Sequence, residues 1–81
     1  MVERNVLIKA FLEPSAVARL VQTASKFNSR ISLVIEEKTA NAKSIMGIIS
    51  INMQEGQNLT IVAEGKDADN AVLALEQFFM S

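Results

Sequence analysis

At 81 residues, 49% of them apolar and 21% charged, the chain has the size and composition of one small globular domain. Eight Lys or Arg against nine Asp or Glu give a net charge of −1, which argues against nucleic acid or an anionic membrane as partner, because either calls for a clustered basic excess. Cys and His are both absent, which excludes disulfides, thiolate and zinc–thiolate chemistry, phosphohistidine and the commonest general base.

Residues 2–9 read as a strand, with Val2, Val6 and Ile8 on one face and Glu3, Asn5 and Lys9 on the other. Leu7 falls on the polar face, which predicts partial cover there. Residues 14–27 read as an amphipathic helix, since Val17, Leu20, Val21, Ala24 and Phe27 recur at helical spacing. Pro14 suits its first position, and Glu13 before it would meet the positive end of the helix dipole. Residues 30–36 form a second strand with Ile31, Leu33 and Ile35 on one face. A tight turn at Glu36-Glu37-Lys38, without glycine, leads into a short strand over about 38–42 that should pair antiparallel with it.

A short helix is expected over 45–53, opened by Ser44, a favoured N-cap residue. It is apolar on nearly every side through Ile45, Met46, Ile48, Ile49, Ile51 and Met53, and Gly47 weakens its middle. A loop around Gly56 precedes a strand over 58–64, in which Leu59, Ile61 and Ala63 alternate with Thr60, Val62 and Glu64. Gly65 ends it, Asp67 is placed to cap the last helix, and Ala68, Ala71, Val72, Leu75, Phe78 and Phe79 form that helix's buried stripe. The order βαββαβα implies an α+β domain spanning 1–81: a four-stranded, mostly antiparallel sheet with three helices on one face and a wetter opposite face. No run approaches a membrane span, and Met1-Val2-Glu3-Arg4-Asn5 has no signal-peptide core, so the expected location is cytoplasmic.

Catalytic groups are sparse. The seven Glu and two Asp are scattered, and no metal, nucleotide or triad motif occurs, so no catalytic, cofactor or metal residue is assigned and the chain is read as a non-enzyme. Three features stand out. Ser44, between Lys43 and a helix start, would tolerate a phosphate beside free backbone N–H groups, although a plain capping serine accounts for it on these residues alone. The helix after it carries more apolar surface than one side can bury. Met46, Ile49 or Met53 would therefore form an exposed patch beside Ser44, or else ordinary core. Glu13 follows Phe11-Leu12, which the strand pattern does not clearly bury, and by itself reads as a helix-start acid.

The runs Val21-Gln22-Thr23-Ala24-Ser25-Lys26-Phe27 and Asn41-Ala42-Lys43-Ser44-Ile45-Met46-Gly47 resemble the HPr family, the histidine-containing phosphocarriers of the bacterial phosphoenolpyruvate-dependent sugar phosphotransferase system. Leu59 to Gly65 and the element order resemble it too, which implies the open-faced β-sandwich of that family. The family opens its first helix with G-L-H-A-R-P-A, whose His accepts the phosphoryl group. Here the segment is Phe11-Leu12-Glu13-Pro14-Ser15-Ala16-Val17. Leu12 is kept, Glu13 stands at the His position, Ser15 at the Arg position, Ala16 at the Pro position and Phe11 at the Gly position, so relay by the family mechanism is not expected.

Ser44 matches the family's regulatory serine in full context. The resemblance implies phosphorylation of Ser44 by an HPr kinase/phosphorylase. It also implies binding of the phosphoserine form to a catabolite control repressor, as in a His-lacking catabolite-repression HPr. Lys43 would flank the phosphate, Ile45, Met46 and Ile49 would contact partners with Leu12 and Glu13 nearby, and Glu13 would partly mimic phosphohistidine. The alternatives are a divergent phosphocarrier using Glu13 or a serine, a constitutive unphosphorylated interaction module, and a homodimer held by the apolar helix.

Overall fold

In the computed structural model, residues 1–10 and 12–80 are described. Phe11, at the family's glycine position, lies outside them. The elements are β1 (Val2–Leu7), α1 (Pro14–Ser25), β2 (Arg30–Ile35), β3 (Lys38–Asn41), α2 (Ile45–Ser50), β4 (Asn58–Glu64) and α3 (Ala68–Met80). The sheet runs β1-β4-β2-β3 and every pairing is antiparallel.

Alternation along the strands determines the two faces. Val6 of β1, Ile31, Leu33 and Ile35 of β2, Ala40 of β3, and Leu59, Ile61 and Ala63 of β4 turn inward and are buried with Leu20, Ala24, Ile48, Val72 and Leu75 from the helices. On the opposite face Glu3, Val62, Ser32 and Asn41 align across the four strands. Asn5, Thr60, Val34 and Thr39 form the next row, in which the Thr60 hydroxyl donates to Asn5 Oδ1 at 2.6 Å. The three helices thus cover one face of the sheet and leave the other open.

The first helix ends at Ser25, two residues short of the expected end, with Lys26 as its C-cap. Val21 and Phe27 still pack on the core from its margin. Leu7 is 49% exposed rather than covered, because it lies on the open face of the edge strand β1, opposite Asn58. The turn between β2 and β3 needs a left-handed residue, and Glu36 supplies it at φ +55°. The expected helix over 45–53 stops at Ser50. Asn52 adopts φ +51° and turns the chain so that Ile51 and Met53 enter the core. Met53 is 7% exposed and does not belong to a surface patch.

Asp67 stands where the α3 cap was expected, and its main-chain carbonyl accepts the first helical bond, from Ala71 N. Its carboxylate instead accepts from the amides of Asn28 and Ser29, each at 2.9 Å, and from the Ser29 hydroxyl. Gly65 permits this closure. At φ +147°, a Cβ there would come within 2.6 Å of Ser29 Oγ and 2.8 Å of Ser29 Cα.

Candidate functional site

Ser44 is half-exposed and held from both sides by buried neighbours. Before it, Ala42 is fully buried and its amide bonds Ile31 O at 2.9 Å, which ties the segment to β2. After it, Ile48 is buried and its amide donates to Ser44 O at 3.1 Å. The turn between is tightened by Asn41, whose Oδ1 accepts from Lys43 N at 2.8 Å and whose carbonyl accepts from Ser44 N at 3.0 Å. Ser44 is therefore extended, at φ −116° and ψ 115°, and its Oγ accepts from Gly47 N at 3.1 Å. The hydroxyl proton is left free to point away from the helix.

One side of α2 anchors Ile48 in the core, and the other cannot be buried at the same time. Ile45 is 46%, Met46 75% and Ile49 58% exposed. Leu12 joins this surface: with Val17, Ile48, Ile49, Asn52 and Met53 it lines a small hollow of about 160 Å³ between the start of α1 and α2. Ser44, Ile45, Met46, Ile49 and Leu12 thus lie on or around one helix. The ammonium of Lys43 is engaged elsewhere, donating to Phe27 O at the end of α1 at 2.7 Å. To flank a phosphate on Ser44 it would have to leave that carbonyl.

Glu13 occupies a different setting. It is the N-cap of α1, extended and exposed, and its carboxylate makes no capping bond, while its carbonyl accepts from Ala16 N and Val17 N. With Ser15 it lines an open cleft of about 580 Å³ whose other walls include Lys9, Arg19, Lys26, Phe78 and Phe79. The cations Arg19 and Lys26 were not singled out from sequence. The signal was available, since Ser15, Arg19, Gln22 and Lys26 follow one another at helical spacing along one face of α1.

The chain matches the PTS-HPr family model, described as the PTS HPr component phosphorylation site, over residues 5–81. It is 39% identical to the HPr-like protein Crh of Halalkalibacterium halodurans over 96% of this chain and 95% of that one. Its fold superposes on the crystal structure of an HPr, HPr-C-His from Thermoanaerobacter tengcongensis, with a TM-score of 0.94 at 41% identity, covering 100% of this chain and 93% of the other. It also superposes on Bacillus subtilis Crh, a catabolite repression protein seen as a domain-swapped, intertwined dimer, with a TM-score of 0.81 at 34% identity, covering 99% and 94% of the two chains.

Proposed function

The chain belongs to the HPr family, and from that premise we propose that it is a non-catalytic, cytoplasmic regulator switched by phosphorylation of Ser44. Its 81 residues serve as one domain. The observation that carries this reading is the pairing of a half-exposed, rigidly held Ser44 hydroxyl with the exposed Ile45, Met46 and Ile49 on the next helix. An HPr kinase/phosphorylase would transfer a phosphoryl group from ATP to Ser44 Oγ. That adds about −1.5 to −2 charges and three acceptor oxygens, an anchor for Arg or Lys of a catabolite control repressor. The apolar residues supply the buried part of the contact, with Leu12 at its margin. Glu13 places one fixed negative charge where the family carries phosphohistidine, a partial mimic at most.

Intact mass after incubation with HPr kinase/phosphorylase and ATP tests the switch. The expected result is one phosphoryl gain that disappears in Ser44→Ala. No gain in the wild type would sink this reading and favour a constitutive module, whose partner binding would be indifferent to Ser44→Ala.

The cleft favours a second reading, a divergent phosphocarrier. Lys9, Arg19 and Lys26, which line the same cleft as Glu13, supply positive charge along it that Ser15, at the Arg position, does not. A phosphohistidine donor would then lose its P–N bond as a P–O bond forms on the Glu13 carboxylate. The resulting acyl phosphate is cleaved by hydroxylamine, whereas phosphoserine survives acid. A homodimer, as in the Crh crystal structure, would be a further way to cover the apolar side of α2, and light scattering would detect it.

A further inference from the structure

The three glycines of this chain are not equivalent. Gly56 at φ +93° and Gly65 at φ +147° hold conformations that other residues rarely adopt, and at Gly65 a side chain would also collide with Ser29. Gly47 has neither reason. It lies inside α2 with an ordinary helical backbone, and a methyl group there would meet its neighbours at 3.4 Å or more, which is normal contact. Glycine is also the poorest helix former apart from proline, and α2 is only six residues long. Local preference is thus set aside here without a steric need, and such conflicts are expected where function imposes a different demand.

The neighbours of that missing methyl identify the demand. They are Ser44 Cβ and Ser44 Oγ, both at 3.4 Å, followed by the Asn41 amide nitrogen at 3.6 Å. We infer that Gly47 is a positioning residue for the Ser44 switch, a deepening that rests on the phosphoserine reading above. Its bare Cα keeps open the flank of the hydroxyl that faces the helix, while its N–H fixes the oxygen through the 3.1 Å bond. In the transfer, the bond from the terminal phosphorus of ATP to its bridging oxygen breaks and the Ser44 Oγ–P bond forms. The hydroxyl proton passes to a base on the kinase. The incoming group needs a clear line to Oγ and room for three new oxygens. A methyl in contact with Oγ takes up part of that space without disturbing the fold.

Gly47→Ala tests this because the two effects have opposite signs. The variant should melt no lower than the wild type, because alanine favours the helix. It should nevertheless be phosphorylated by HPr kinase/phosphorylase with a kcat lowered by about tenfold or more. KM should change little, since Ile45, Met46 and Ile49 are untouched. Ser50→Ala is the control: it also raises helix preference in α2 but lies two turns from Ser44, and it should be phosphorylated at the wild-type rate. A wild-type rate for Gly47→Ala, on a wild type that is labelled, overturns the role of Gly47 and leaves the switch standing. Equal slowing of both variants assigns the effect to a stiffer helix and overturns it too, as does slowing accompanied by a lower melting point. An unlabelled wild type removes the switch itself and this inference with it.

Discussion

Lys43 Nζ donates to the carbonyl of Phe27 at 2.7 Å, joining the segment before α2 to the end of α1. Phe27 lies just past Lys26, the C-cap of α1, near the negative end of the helix dipole, so a cation there is favourable. The residue beside the candidate phosphoserine therefore has a structural task in the unphosphorylated chain.

Lys43→Met keeps the length of the aliphatic stem and removes the charge. It should lower the unfolding free energy by about 1 kcal/mol, the net worth of a partly exposed bond of this kind, as read by urea denaturation. Ser44 should still gain a phosphoryl group by mass. Loss of phosphorylation with unchanged stability would place the ammonium at the phosphate instead.

The two sides of α2 should separate in a pair of truncations. Ile48 is 1% exposed, and Ile48→Ala should cost about 2–5 kcal/mol through lost burial and the cavity left behind. Met46 is 75% exposed, and Met46→Ala should change stability by no more than about 0.5 kcal/mol. Repressor binding, measured on the phosphorylated protein, should weaken in Met46→Ala. Unchanged binding would remove Met46 from the partner surface.

The Asp67 carboxylate is held below the usual aspartate range, first by the Ser29 hydroxyl and then by the amide of Asn28, with burial opposing and the Ser29 amide assisting. A folded value below the unfolded one adds stability that is complete above the unfolded value and is lost as pH falls through the folded value. Ser29→Ala removes the largest of these causes. The Asp67 titration, followed by carboxyl-carbon NMR, should then move upward, and the stability that Asp67 loses in acid should be smaller than in the wild type and fully lost at a higher pH. An unmoved titration would mean that the hydroxyl bond has no weight in solution.

The separation between what could be read and what could not follows the range of the interactions. The hydrophobic spacing of residues 14–27 and the alternation at 30–36 and 58–64 are local signals, so the helix and both strands were legible to within a few residues. So was the cap at Ser44, whose bond to Gly47 spans three positions. The end of α2 was not, because Asn52 turns left-handed to bury Met53, and the core that rewards this comes from distant strands. Asp67 was read as a local cap because the turn that takes its carboxylate lies 38 residues away in sequence.

Composition and periodicity by themselves determined the element order, the inward faces of the strands and, by the absence of His, the exclusion of phosphohistidine chemistry. Only the tertiary structure decided the strand order β1-β4-β2-β3, the side of α2 left in water, and the cleft that Glu13 shares with Lys9, Arg19 and Lys26. It also decided that Lys43 reaches Phe27. The physical reason is that a strand or helix is specified by residues within a few positions of one another. Exposure and pairing depend on which distant segments occupy the remaining space, and that is settled when the core closes.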